Sequence, residues 1–274
     1  NIIDPAILYD DKKNLPEKSC LLTFDDGYKD HIRFVFPELK KRRIKGLFFP
    51  TGNCTFDMEV LDANLIQHIL AVTKNINKLK KEIINICLEL DISKKELDEK
   101  YLLYTDKSKH SLSKPKNRWD FKEVIFLKRL LQFGLKDHIR KKIIYILFKK
   151  YIKINIQNFH KNFYLNTDDI KRLLDNEMSI GSHTYNHYWL GTLSKDKQEK
   201  EINLSVEFLN HFQISKKKRI MCYPFGSYNK DTLKIMKKNK FYYAVTTKSR
   251  TADLDKDNIY ELPRKDTNDY PQKR

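Results

Sequence analysis

From Cys20 to Phe24 the chain makes a short, largely apolar run that stops on Asp25-Asp26-Gly27. An apolar run of this length bounded by a turn signal reads as a buried strand, and two carboxylates are left at its C-terminal end. That end of a strand is where α/β sheets place their ligands. Downstream, Ile32 to Arg43 carries apolar residues at helical spacing with a basic last turn, and Lys45-Gly46-Leu47-Phe48-Phe49-Pro50 reads as a second strand. Strand, helix and strand in this order predict a parallel pair joined by a right-handed crossover.

The texture changes from about Leu61 to Leu165, where long Leu/Ile/Lys stretches hold one glycine, Gly134, and one proline, Pro115. Residues 61 to 165 contain 23 Lys and Arg against 11 Asp and Glu, so +12 of the chain's +18 lies there. The pattern predicts a basic helical insertion over residues 59–165 within an α/β domain made of 1–58 and 166–274. Residues 139–154 form an amphipathic basic helix. Its apolar stripe packs on a core with lysines in water, or the helix touches a membrane surface or a polyanion. The α/β texture then resumes. Thr167-Asp168-Asp169 caps a helix through Asn176, and Met178 to Gly181 reads as a strand. A helix over 194–213, a strand from Arg219 to Tyr223 turning at Pro224-Phe225-Gly226, a helix from Lys230 to Lys240 and a strand from Tyr242 to Thr246 follow.

With 40% hydrophobic and 12% aromatic residues the chain is not of disordered composition. A positive field attracts anions of every kind. Lysines interleaved with Ile and Leu at helical spacing describe ordinary amphipathic helices, however, and no nucleic-acid motif accompanies them, so no nucleic-acid partner is expected. The cysteines Cys20, Cys54, Cys87 and Cys222 form no C-x-x-C pair and read as free thiols of a reducing compartment. No stretch of about 18 apolar residues is present to span a bilayer. Asn1 to Pro5 lacks the basic, apolar start of a leader, and a cytoplasmic location is expected.

His183 and His187 lie four residues apart, a spacing that on a helical turn would put two imidazoles on one face, within reach of one metal ion. Alone the pair says little, and Asp-Asp-Gly is a common turn. Together, two histidines and one carboxylate make the facial ligand set of a catalytic metal site with open positions. Adjacent Asp residues at a strand end point in different directions, so one can bind metal while the other stays free as a base.

Thr23-Phe24-Asp25-Asp26-Gly27, Ser182-His183-Thr184-Tyr185-Asn186-His187 and Tyr223-Pro224-Phe225-Gly226, in that order, resemble the polysaccharide deacetylase family with its NodB-like domain, similar to carbohydrate esterase family 4. The likeness covers residues 17–55 and 166–265 and leaves the insertion aside. It implies a deformed (β/α) barrel of about seven strands that removes an acetyl group from an N-acetylated sugar with a divalent metal, zinc first. It further implies Asp26, His183 and His187 as metal ligands and Asp25 as general base. The Phe225 backbone N–H would serve the oxyanion, and Tyr223, Pro224, Phe225 and Gly226 would form the substrate-binding turn, with Tyr223 and Phe225 walling the sugar pocket.

Two features depart from that pattern. The third motif has Cys222 near the position where many members carry an Arg, and Arg264, in Leu262-Pro263-Arg264, is the candidate to orient Asp25 instead. The late Leu-x-His motif that supplies a general acid has no counterpart, since the last histidine is His211. Asp266 and Asp269 are further pocket candidates. His31 lies where it could line the pocket, while His68, His110, His138 and His160 fall in the insertion and are assigned no metal.

The expected activity is N-deacetylation in the synthesis of a bacterial surface glycan such as lipopolysaccharide or capsule. The substrate would be a nucleotide-linked or lipid-linked precursor, or an oligosaccharide. The competing reading is a catalytically silent glycan-binding or scaffold protein that keeps the fold.

Overall fold

The computed structural model of the protein describes residues 1–10, 15–106 and 120–271, so that His110 and Pro115 lie outside the described residues. The chain divides into two compact units, Asn1–Glu59 with Gln157–Arg274, and Val60–Ile156.

The first unit is built on five parallel strands: β1 (Thr23–Asp26), β2 (Leu47–Pro50), β3 (Ser179–Ile180), β4 (Ile220–Cys222) and β5 (Tyr243–Val245). β1, β2 and β3 pair in that order, with Phe24 opposite Phe48 and Asp25 opposite Phe49, and β4 pairs with β5. Single parallel bridges continue the series: Ser182 to Met221 between β3 and β4, Val245 to Leu262 beyond β5, and Ile2 to Cys20 ahead of β1. The expected barrel of about seven strands is therefore only partly drawn. The strands are two to four residues long, and among the described residues no backbone pairing joins the Leu262 edge to β1. Side chains from Arg264 span that gap instead, donating to Thr23 Oγ1 and to Asp25.

The period-two alternation of the strands sorts their side chains onto two faces. Phe48, Ile180, Met221 and Ala244 pack under the helices Phe36–Lys41, Thr167–Asp175, Lys195–His211 and Lys230–Lys238. Leu47, Phe49, Ile220, Cys222, Tyr243 and Val245 pack together on the other face with Leu262. β2, β4 and β5 are buried on both sides, which explains their short solid apolar runs, whereas β1, expected buried, is only half-buried along its length. The predicted Ile32 to Arg43 helix starts instead as a π turn, His31–Val35, before α-helix Phe36–Lys41. Pro37, which has no N–H to give, sits in the first turn of the latter. The Thr167–Asp175 helix is capped by Asn166, whose side chain accepts from Asp169 N–H while Asp169 reaches back to Asn166 N–H.

The second unit is helical, with helices at Asp62–Val72, Ile76–Glu89, Lys94–Thr105, Lys122–Arg129 and Asp137–Tyr151. In the last of these Ile143, Ile144, Leu147 and Phe148 are buried and the lysines are exposed. Residues 157–165, expected in the insertion, belong to the first unit. There Leu165 N–H donates to the Gly27 carbonyl at 2.8 Å and Tyr164 bridges Tyr28. No helix among the described residues is long and apolar enough to cross a membrane.

Candidate active site

β1 delivers its two carboxylates to different places. Because Phe24 packs with the helix-covered face, Asp25 falls on the other face beside Cys222, whose Sγ lies 3.4 Å from Asp25 Oδ2. Asp26 has left the extended conformation altogether, at φ 68°, with Gly27 following at φ 70°. A side chain at position 27 would put its Cβ 2.8 Å from that of Pro50, so glycine alone lets the chain turn here. The turn carries Asp26 toward the two histidines. Its Oδ1 lies 3.4 Å from His183 Nε2 and 3.2 Å from His187 Nε2, while Oδ2 accepts from the Tyr28 hydroxyl at 2.6 Å.

His183 and His187 do not reach this point from a helical turn, as their spacing predicted. They stand on an irregular loop in which Thr184 and His187 both take left-handed backbone conformations, at φ 60° and 58°, and their ring centroids are 4.8 Å apart. Non-glycine residues hold such conformations only where their surroundings impose them. Here Gly52 and Asn53 N–H donate to the Thr184 and Tyr185 carbonyls, His187 N–H donates to Thr184 Oγ1 at 3.0 Å, and buried Glu201 accepts from both the backbone and side-chain amide of Asn186. Burial raises the Glu201 carboxyl against those hydrogen bonds.

The residues fit a metal ion. His183 Nδ1 lies 2.8 Å from the Cys222 carbonyl oxygen. A carbonyl only accepts, so Nδ1 carries the hydrogen and Nε2 turns its lone pair toward Asp26. Burial holds His183 below the usual imidazole value, which favours that neutral form. Asp26 Oδ1 is buried without a hydrogen-bond partner. Its carboxyl is nonetheless held far below the usual range, because His187, His183 and Tyr28 together outweigh burial. An ionised oxygen and an imidazole lone pair facing one another are satisfied by a cation between them, and the three ligand atoms lie within 4.8 Å of each other. Tyr28 was not singled out from the sequence, yet it fixes which carboxylate oxygen faces the histidines. Tyr28→Phe is expected to weaken zinc affinity by about tenfold or more in competition with a chromophoric chelator.

Asp25 pairs with Arg264 through two parallel bonds, Nη1 to Oδ1 and Nη2 to Oδ2, both 2.8 Å. Burial works to raise the Asp25 carboxyl, but the guanidinium and His183 overcome it and hold the group below the usual value. Arg264 is fixed in turn by bonds to the Thr246 carbonyl and Thr23 Oγ1, and its Nη2 lies 3.0 Å from Cys222 Sγ. Cys222, which stands near the family's Arg position, faces Asp25 because the alternation of Ile220 and Cys222 against Met221 turns it to that side.

The third motif divides. Phe225 sits in the left-handed region at φ 59° and presents its ring to His187, with centroids 4.8 Å apart, and to Trp189, stacked at 4.5 Å. Pro224 and Gly226 are buried in the same turn, where a side chain at 226 would put its Cβ 2.1 Å from Thr247 Oγ1. Tyr223 does not wall a pocket. It is 1% exposed, packs on Tyr228 and donates its hydroxyl to the Tyr260 carbonyl, because strand alternation turns it under the helices when Cys222 faces inward. The ring that packs beside Phe225 is instead that of Trp189, itself buried. Asp266 and Asp269 cap their own turn, and Asp269 also accepts from Ser249. His31 is buried against Phe24, Tyr28 and Phe48, and burial pushes its imidazole down to about 4. His160 is engaged with the Cys54 carbonyl.

The sequence matches the profile described as polysaccharide deacetylase over residues 12–84 and 135–244, more than half of the chain. The chain belongs to the polysaccharide deacetylase family. Among curated family members it is 31% identical over 105 residues to a Bacillus subtilis chain classed with the polysaccharide deacetylases, YxkH, covering 38% of this chain and 37% of that one. It is 30% identical over 120 residues to the poly-beta-1,6-N-acetyl-D-glucosamine N-deacetylase of Staphylococcus epidermidis, covering 40% and 41%. The matched stretch thus spans about two fifths of these relatives. Among solved structures of the family's fold, the Streptococcus pyogenes deacetylase PplD, solved with acetate, aligns with 97% of this chain and 73% of its own at a TM-score of 0.54 and 17% identity.

Proposed function

We propose that the protein is a metal-dependent N-deacetylase of an N-acetylated sugar. One observation carries this reading: Asp26 Oδ1 and the Nε2 atoms of His183 and His187 converge beside a second carboxylate, Asp25, that a guanidinium holds in place. Asp26, His183 and His187 would hold a divalent cation, zinc first, and leave coordination positions open. When bound it would supply Lewis acidity to the amide carbonyl and to water.

Asp25 removes a proton from the water that attacks the acetamido carbon. The Phe225 N–H donates to the oxyanion that develops on the former carbonyl oxygen. The carbon–nitrogen bond then breaks, and the sugar nitrogen leaves as an amine after taking a proton. We assign that proton to Asp25, which holds the one it took from the attacking water. The balance is one water consumed, one acetate and one amino sugar formed. Half-buried Phe225, backed by the buried, stacked ring of Trp189, offers an aromatic surface on which a sugar ring can rest.

The named activity of the Staphylococcus epidermidis relative puts N-acetylglucosamine oligomers first among substrates. A nucleotide-linked or lipid-linked precursor in the synthesis of lipopolysaccharide or capsule fits the chain's +18 charge, and would go with a cytoplasmic site of action. The test is acetate release by the zinc-loaded protein from β-1,6-linked N-acetylglucosamine oligomers and from nucleotide-linked N-acetyl sugars, before and after stripping with a chelator. Release that disappears with the metal and returns with zinc is expected. Absence of release across the panel by protein shown to hold zinc would favour the catalytically silent, glycan-binding reading.

A further inference from the structure

Between His138 and Ile154 the chain carries six Lys and Arg and no acidic residue. In the Asp137–Tyr151 helix the doublets Ile143-Ile144 and Leu147-Phe148 turn into the core, and Lys141-Lys142, Tyr145-Ile146 and Lys149-Lys150 turn outward. At 100° per residue Lys142, Tyr145, Ile146 and Lys149 share one arc of the helix, with Lys141 and Lys150 at its margins. Lys150 is engaged by Glu82, at 2.7 Å, and Lys141 lies 3.9 Å from Asp137. Arg140 is buried and paired with Asp137. What remains is Lys142 and Lys149, with Lys141 only loosely held by Asp137, around an aromatic and an aliphatic side chain, Tyr145 55% and Ile146 39% exposed.

We infer that this face docks the protein on a bilayer surface rich in anionic lipid. The lysines supply attraction to the anionic headgroups. Tyr145 brings a ring with a polar tip of the kind that settles at headgroup level, and Ile146 can reach the acyl boundary. A nucleic-acid backbone would satisfy the lysines equally but would give Ile146 nothing, which is why the observations favour lipid. The inference is independent of the deacetylase reading and neither needs nor tests it.

The test is co-sedimentation of the whole protein with phosphatidylcholine vesicles, with and without a phosphatidylglycerol fraction. Binding is expected only with phosphatidylglycerol, and it should weaken as salt is raised. Lys141→Gln, Lys142→Gln and Lys149→Gln together should reduce it about a hundredfold, at about fivefold per lysine. The corresponding Lys→Arg protein, equal in charge, should bind as well as the parent. Tyr145→Ser with Ile146→Ser should weaken vesicle binding and leave the helical circular dichroism unchanged. No binding to phosphatidylglycerol vesicles at low salt, or binding indifferent to the lysine substitutions, would overturn the inference. So would binding to single-stranded RNA as tight as to vesicles together with no effect of the Tyr145 and Ile146 substitutions.

Discussion

An Asp25→Asn protein is expected to bind zinc like the parent and to release acetate between about a hundred and ten thousand times more slowly. Asparagine keeps the size of the carboxylate and still offers Oδ1 to Arg264, so the wall of the site stays in place while the group that takes the proton is gone. Asp25 also lies within reach of His183 and Cys222, but Arg264 occupies both its oxygens, so its replacement should leave the metal held by Asp26, His183 and His187 in place. Asp26→Asn should do the reverse, losing metal first and activity with it. The pair of measurements, zinc per chain and acetate released, separates the two aspartates. Loss of metal in the Asp25 protein, or full activity in it, would refute the division of labour proposed for them.

Arg264→Met should show its effect in pH as well as in rate. In the parent, burial tends to raise the Asp25 carboxyl and Arg264 overrides it, so Asp25 is ionised throughout the neutral and mildly acid range. Without the guanidinium, burial is opposed only weakly, by His183, and the folded-state value rises. The acid limb of acetate release should accordingly move to higher pH, with a fall in rate at neutral pH. Stability follows the same sign. A carboxyl depressed in the folded state contributes stability above its unfolded value, and that contribution is lost as pH falls through the folded value. The parent's advantage over Arg264→Met should therefore be largest near neutrality and shrink in acid. Removing one partner of a fully buried pair costs about 3–5 kcal/mol. Asp25 keeps a side-chain exposure of 32%, and so about 2 kcal/mol is expected in urea titrations. Arg264→Lys should restore part of the stability and little of the rate, because an ammonium cannot make both parallel bonds. An acid limb that stays where it is in Arg264→Met would remove Arg264 from the chemistry.

Several parts of this protein could be read from the chain directly. The apolar run into Asp25-Asp26-Gly27 identifies the first strand and its end, since local hydrophobicity and a turn residue settle both. The lysine-rich stretch reads as helices because its apolar residues recur with a 3.6-residue period and it holds only one Gly and one Pro. The resemblance to the deacetylase family was legible in three short motifs, and the profile match over residues 12–84 and 135–244 establishes membership. What only the tertiary structure decided are the contacts that join distant segments. Arg264 was legible as the residue to orient Asp25, 239 positions away, but the two parallel bonds it makes across the gap between the first strand and the last parallel bridge were decided by the tertiary structure. Tyr28 selects the oxygen of Asp26. Tyr223 enters the core while Phe225 faces the histidines, and the histidines converge through left-handed loop residues, not a helix. The reason is physical: periodicity reports which face of an element is buried, but the identity of the neighbour depends on strand order and crossover, which no local pattern encodes.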